Sequence, residues 1–312
     1  MKFFVTGVAG QLGHDVMNEL ASRGYEGVGS DLAPEYSGIA DESPVTRMPY
    51  ASMDITDGEA VRRVLTEVKP DVVVHCAAWT AVDLAEDEDK QEKVHKINVD
   101  GTRNIAKVCK ELDCKMIYLS TDYVFDGQGT TPWDPDCKDY KPLNVYGNTK
   151  LLGELAVSEL LEKYFIVRIA WVFGKNGNNF IKTMLKVGKN HDRLTVVNDQ
   201  IGTPTYTLDL SRLLVDMAET ERYGYYHATN EGGYISWYDF AVEIFRQAEA
   251  MGHTEYGERL TVAPVTTAEY GISKAARPFN SRLDKSKLSS QGFELLPDWK
   301  DALMRYLQEI EF

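Results

Sequence analysis

Thr121, Tyr146 and Lys150 are residue types suited, at this spacing, to moving a proton onto a carbonyl oxygen. Tyr146 and Lys150 stand at i and i+4 within Leu143–Leu161, a segment whose pattern predicts a helix, so the two side chains share one face. A free phenol has a pKa of about 10 and is a poor acid–base group at neutral pH, and a nearby ammonium lowers that value by favouring the phenolate. Such a pair can protonate a carbonyl oxygen while hydride reaches the carbon. Any surface helix can carry a Tyr-x-x-x-Lys pair, so placement has to decide. Thr121 follows a β-rich run, Lys115–Ser120, and in a doubly wound sheet ligands sit at the carboxyl ends of the strands. A hydroxyl there can bond the same carbonyl oxygen.

A second chemistry lies at the N-terminus. Gly7, Gly10 and Gly13 follow a strand pattern and open a helix pattern, with Gln11 and Leu12 between them. Glycine permits the tight turn and lets backbone N–H groups approach a pyrophosphate, to which the helix N-terminus adds partial positive charge. Three glycines alone are a weak signal; the strand–turn–helix context strengthens it. Asp31 ends the next β-run, where a carboxylate accepts from an adenosine ribose and repels a 2′-phosphate. This favours NAD(H), with NADP(H) as the alternative.

The elements that must position these groups alternate. Lys2–Thr6 reads as a strand, followed by Leu12, Val16 and Leu20 at helical spacing. Glu26–Ser30 is a second strand, residues 32–53 form a loop rich in Pro, Ser and Asp, and Asp71–Cys76 is a buried strand. A helix over 91–112, the strand Lys115–Ser120, the helix Leu143–Leu161 and a strand over Phe165–Val172 follow. This alternation predicts an α/β fold, a Rossmann-type doubly wound parallel sheet. Beyond residue 172 the pattern loosens. Helices are expected over Phe180–Lys189, Leu208–Glu219, Trp237–Ala250 and Trp299–Ile310, with short β-runs at Leu194–Val197, Tyr225–Ala228 and Leu260–Pro264. The expected division is a dinucleotide-binding domain over 1–172 and a small mixed C-terminal substrate-binding lobe over 173–312, with segments crossing back to the sheet.

The chain has 312 residues and a formal net charge of −14. That field repels nucleic acid and anionic membranes, so neither is an expected partner, and an anionic ligand must meet local positive groups. No apolar stretch approaches a membrane span, and the N-terminal apolar run is too short for a secretion signal. A cytoplasmic monomer or homodimer is expected. Cys76, Cys109, Cys114 and Cys137 form no CxxC pair and no zinc-ligand spacing, so they read as idle thiols and no metal is expected.

Taken together, these residues resemble the extended short-chain dehydrogenase/reductase family, and within it the dTDP-4-dehydrorhamnose reductases, along almost the whole chain. The general landmarks are Gly7-Val8-Ala9-Gly10-Gln11-Leu12-Gly13, Ser120-Thr121-Asp122-Tyr123 and Val145-Tyr146-Gly147-Asn148-Thr149-Lys150. More specific are Asn178-Asn179-Phe180, Asn198-Asp199-Gln200-Ile201-Gly202-Thr203-Pro204-Thr205 and Arg277-Pro278-Phe279-Asn280-Ser281. The resemblance implies pyrophosphate contacts from Gly10, Gln11 and Leu12. It places Asp54 and Ile55 at the adenine, and Ala77, Ala78, Trp79 and Thr80 along the dinucleotide. Lys150 would bond the nicotinamide ribose. Thr121, Asp122, Tyr146, Val82 and Trp171 would meet the hexose of a nucleotide-sugar substrate. The implied reaction is reduction of the C4 carbonyl of a nucleotide-linked 4-keto-6-deoxyhexose by NAD(P)H. Two departures stand out: Trp79 occupies a position often held by His, and the loop over 32–53 is longer than in compact members.

Two other readings stay open at this point. An epimerase or dehydratase of the same fold would retain its cofactor through the cycle, although dehydratases tend to carry an acidic pair beside the catalytic hydroxyl, and Asp122-Tyr123 follows Thr121 here. A non-catalytic regulatory subunit of the methionine adenosyltransferase type would bind cofactor without turnover. Several other residues read as structural: His75, His95 and His227; the core-spaced Trp237, Tyr238 and Phe240; and the acidic run Glu86–Asp89, expected to be a solvated loop. Asn98 is either a family asparagine or a helix-kinking polar residue. Arg277 and Arg282 either neutralise a diphosphate or form surface ion pairs.

Overall fold

A computed structural model describes residues 1–257, 259–271 and 273–312. Its centre is a seven-stranded parallel sheet. Six strands are β1 (Lys2–Thr6), β2 (Glu26–Asp31), β3 (Tyr50–Ser52), β4 (Val72–His75), β5 (Lys115–Thr121) and β6 (Tyr164–Ile169), and Gly224–His227 forms an edge. From that edge the order is β6-β5-β4-β1-β2-β3. The chain runs outward from β1 in both directions, so a crevice opens where the carboxyl ends of β1 and β4 part.

Side chains alternate across a strand, and both faces of this sheet are covered. Phe3, Val5, Val72, Val74, Ile117, Leu119, Phe165 and Val167 join one apolar cluster with α1 (Gln11–Ser22) and the helix Thr207–Ala218. Phe4, Val73, Met116, Tyr118 and Ile166 face the other way, against α2 (Gly58–Val68), α4 (Thr102–Leu112) and α5 (Val145–Leu160). Each fully buried side chain of this size stabilises the fold by about 1.5–3 kcal/mol. A third cluster, from Phe173 to Leu307, joins α6 (Phe180–Gly188), the helix Trp237–Ala250 and the C-terminal helix Trp299–Glu309.

The structure departs from the sequence expectations at several places. The loop over 32–53 contains a 3-10 turn at Pro44–Arg47 and strand β3. Helix α2, not anticipated, is capped by the Asp57 carboxylate, which accepts from Glu59 N and Ala60 N. The acidic run is not a solvated loop: Glu88 and Asp89 open helix α3 (Glu88–His95), Asp87 pairs with Lys274, and Glu86 accepts from Val145 N. The helix expected over 91–112 is α3 and α4 joined by a π-helical turn, Lys96–Gly101. The strand expected over Phe165–Val172 ends at Ile169, because Trp171 takes a left-handed backbone with φ of +50°, and Val172–Phe173 pairs with Thr205–Tyr206 instead.

Candidate active site

The Gly-rich turn is held by close approaches that only glycine allows. Gly7 has φ of +71°, and a Cβ there would lie 2.7 Å from Ala77 N. A Cβ on Gly13 would lie 2.3 Å from Gly7 O. Gly10 caps α1 with no side-chain hydrogen bond, so the helix presents free N–H donors there. Gln11 Oε1 accepts from Gly174 N at 2.8 Å and Asn179 Nδ2 at 3.0 Å, tying the turn to the later chain. The Asp31 carboxylate accepts from Ala9 N at 3.1 Å and Leu32 N at 2.8 Å, fixing the end of β2 beside the turn. These features fit a dinucleotide: open donors for a pyrophosphate, and a carboxylate one strand away.

One cleft of about 890 Å³ runs from this turn across the carboxyl ends of the strands. It is lined by Gly7, Gly10, Gln11, Leu12, Gly13 and Asp31; by Asp54, Ile55, Ala77, Ala78, Thr80 and Val82; and by Thr121, Asp122, Tyr146, Lys150 and Trp171. Of the residues that the resemblance assigns to cofactor or hexose, Trp79 is the exception that does not line it, and Arg282 stays outside as well. The Trp79 indole N–H donates to Ala81 O at 3.1 Å, its ring lies 5.9 Å from Lys93 Nζ, and its main chain is held by Asn98. The cleft is lined on either side of it by Ala78 and Thr80.

Thr121, Tyr146 and Lys150 converge because three elements are locked together. Asn144 caps α5, its Oδ1 accepting from Gly147 N at 2.7 Å, which sets Tyr146 in the first turn. Gly147 itself allows contact with the chain after β5, since a Cβ there would lie 2.3 Å from Tyr123 O. The Tyr146 ring meets the Tyr123 ring edge-on, with centroids 5.6 Å apart. The Thr121 hydroxyl donates to Asp122 Oδ1 at 3.1 Å and accepts from Tyr123 N at 3.2 Å. Asp122 is buried beside the Ser281 and Thr121 hydroxyls, which favour its charged form, and its Oδ2 has no other close partner among the described residues.

The electrostatics differ from the expectation that Lys150 would pull the Tyr146 pKa down. Burial raises Tyr146 to about 12, against hydrogen bonding from Thr121. Burial also lowers Lys150 to about 7, against the favourable charge of Glu154. Desolvation penalises phenolate and ammonium alike and outweighs their mutual influence. Tyr146 therefore holds its proton at neutral pH, as a proton donor must. Burial likewise raises Asp122 to about 7, so its carboxyl is part-protonated near neutrality.

Asn98 lies where a helix-kinking polar residue would. It sits in the π-helical turn, accepts from Trp79 N at 2.8 Å, and donates to Trp79 O at 3.2 Å and to Thr149 Oγ1 at 3.0 Å. π-turns recur at functional sites, and this one aims a polar side chain between β4 and α5. His75 is structural: buried, with its ring nitrogens paired to Thr6 and Thr102 hydroxyls, and pushed down by burial to about 3. Cys76 lines the cleft as an inert thiol, pushed up by burial to about 12.

Sequence reasoning missed part of the wall. Trp237 belongs to the cleft as well as to the core: it stacks on Trp171 with centroids 3.8 Å apart and meets Phe180 at 4.6 Å. Helical spacing marked it as apolar, but only the position of its helix start, capped by Ser236, puts it at the rim. Phe240 is buried core, as the spacing predicts. Arg277 lines the cleft and also forms a bidentate pair with Asp83, at 3.0 and 2.8 Å.

Comparison with known proteins shows the family. The sequence profile of the RmlD substrate binding domain family matches residues 1–312. A dTDP-4-dehydrorhamnose reductase of Aggregatibacter actinomycetemcomitans is 37% identical over 310 residues, covering 97% of each chain. Among solved structures, a dTDP-4-dehydrorhamnose reductase from Bacillus anthracis in complex with NADP aligns with a TM-score of 0.85 at 37% identity, over 99% of this chain and 100% of that one. The corresponding protein of Clostridium acetobutylicum aligns with a TM-score of 0.85 at 39% identity, over 99% of both. The chain belongs to the RmlD substrate-binding-domain family, together with the dTDP-4-dehydrorhamnose reductases.

Proposed function

We propose that this protein reduces the C4 carbonyl of a nucleotide-linked 4-keto-6-deoxyhexose, dTDP-4-dehydro-L-rhamnose, to give dTDP-L-rhamnose. The observation that carries this reading is the convergence of Thr121, Tyr146 and Lys150 on one cleft with the Gly-rich turn. The turn, Asp31, Asp54 and Ile55 would hold the dinucleotide, with the Asp31 carboxylate favouring NADH over NADPH. Reduced nicotinamide, when bound, supplies the hydride.

The chain supplies the proton and the orientation. Tyr146 donates its phenolic proton to the carbonyl oxygen as that oxygen gains charge; a sugar alkoxide is the stronger base, so the transfer runs downhill. Thr121 fixes the same oxygen by a hydrogen bond. Asp122, buried beside the Thr121 and Ser281 hydroxyls, has acceptor capacity left to receive a sugar hydroxyl. Trp171 and Val82 pack on the apolar faces of the hexose. Arg277 supplies local positive charge for the diphosphate against a net charge of −14.

The test is to mix the purified chain with dTDP-4-dehydro-L-rhamnose and NADH or NADPH. The reading predicts one reduced cofactor oxidised for each dTDP-L-rhamnose formed. Isomerised or dehydrated sugar with no net cofactor oxidation would make it an epimerase or dehydratase, and cofactor binding without turnover a regulatory subunit.

A further inference from the structure

Lys150 is a buried cation whose nearest carboxylate on the same helix face is already engaged. Glu154, one turn on, is fully buried and receives both Arg168 Nε and Nη2 at 2.8 Å. What lies against the ammonium instead is an aromatic face: Lys150 Nζ is 4.2 Å from the centroid of the Tyr118 ring. Tyr118 is fully buried on β5, its O–H donates to Lys150 O at 3.3 Å, and the His75 ring stacks beside it with centroids 5.9 Å apart. The helix is shaped for this approach. A Cβ on Gly153 would lie 2.2 Å from Tyr118 Oη, so α5 can pass over the ring only with glycine there.

We propose that Tyr118 is a positioning residue of the site, the face of its ring holding the Lys150 ammonium charged and in place at the floor of the cleft. A cation over a phenol face is attracted by the ring quadrupole, most strongly where water is excluded. The other ionisable groups around Lys150 are Glu154 and Tyr146 on its own helix, and His75 and Cys76 at the end of β4. Glu154 is held by Arg168, and Tyr146 and Cys76 are protonated at neutral pH. His75 is neutral, its ring nitrogens paired with Thr6 and Thr102. Among the described residues, the ring is thus a favourable contact of the ammonium that a single substitution can remove without altering a charge. The consequence for the reaction rests on the proposed function, with Lys150 bonding the nicotinamide ribose as the family resemblance implies; the contact itself does not.

The experiment follows the titration of Lys150 directly. The full chain, free of cofactor, is prepared with isotope-labelled lysine, and the Lys150 side-chain resonance, assigned by its loss in Lys150→Arg, is followed against pH by NMR. Tyr118→Phe keeps the ring face and leaves the midpoint where it is. Tyr118→Leu lowers the midpoint by about 0.4–1.5 pH units, the shift equivalent to a partly to fully desolvated cation–π contact. A series of progressively fluorinated phenylalanines at position 118 weakens the face while keeping its shape, and lowers the midpoint stepwise, so the test survives if the leucine variant fails to fold. A midpoint constant across the fluorinated series, or an equal shift in the Phe and Leu variants, overturns the proposal. In the cofactor-loaded enzyme the alkaline limb of kcat/KM moves with the midpoint. If the midpoint moves and the limb does not, the contact stands and the role assigned to Lys150 in the reaction falls.

Discussion

Asn98 joins Trp79 to Thr149: one side-chain amide holds the main chain after β4 on both sides and the threonine hydroxyl one residue before Lys150. The chain after β4 and helix α5 are thus positioned by a single buried residue. Asn98→Ala removes three hydrogen bonds, leaving the Trp79 N–H donor and the Trp79 O and Thr149 Oγ1 acceptors without that partner. It should cost about 2–4 kcal/mol in urea unfolding and lower kcat/KM as well, since α5 loses its register against the wall. A variant with wild-type stability and turnover would show that the bridge is dispensable.

Lys150 should reveal itself in stability as well as in rate. Burial lowers its pKa to about 7 from 10.5, so the folded protein binds fewer protons than the unfolded chain between those values. Stability therefore rises with pH across that window, and the full penalty is present below about pH 7. Lys150→Met should stabilise the protein by a few kcal/mol at pH 6, with the gain shrinking towards pH 10. Denaturant midpoints of the two proteins across that range check it; a constant difference would contradict the buried-ammonium account.

Cofactor preference should turn on Asp31. One carboxylate oxygen accepts from Ala9 N and the other from Leu32 N, so Asp31→Asn removes the charge and keeps only one of these two bonds. The KM for NADH should rise and that for NADPH fall, changing their ratio by roughly tenfold, equivalent to about 1.4 kcal/mol. Steady-state kinetics with both cofactors is the check, and an unchanged ratio would exclude Asp31 from the choice.

Arg168 and Glu154 form a fully buried ion pair between β6 and α5, with Tyr140 and the Pro135 carbonyl completing the arginine's bonds. Breaking such a pair strands a charge. Arg168→Met should destabilise by about 3–5 kcal/mol, and adding Glu154→Leu should recover much of that loss. Thermal or urea unfolding of the single and double variants measures it; equal stability for the two would mean that Glu154 is not left charged.

The sheet, the turn and the acid–base set were legible because each leaves a local signature. Valine runs mark strands covered on both faces, the glycines at 7, 10 and 13 mark close backbone approach, and Tyr146 with Lys150 marks one helix face. What stayed hidden depends on distant partners. The π-turn needs Asn98 to reach Trp79, the break after Ile169 needs Trp171 in a left-handed conformation, and the stack of Trp237 on Trp171 joins segments far apart in sequence. The direction of the Tyr146 shift was hidden for the same reason. Pair spacing is visible in a sequence, but depth of burial is not, and burial dominates both Tyr146 and Lys150.

The central claim is that the Tyr146 phenol protonates the sugar carbonyl. The most direct measurement compares turnover of dTDP-4-dehydro-L-rhamnose by the wild-type protein and by Tyr146→Phe, with cofactor affinity determined separately by fluorescence titration. The account predicts a fall in kcat of roughly 100- to 10,000-fold with cofactor affinity nearly intact. Turnover close to wild type in the phenylalanine variant would contradict it.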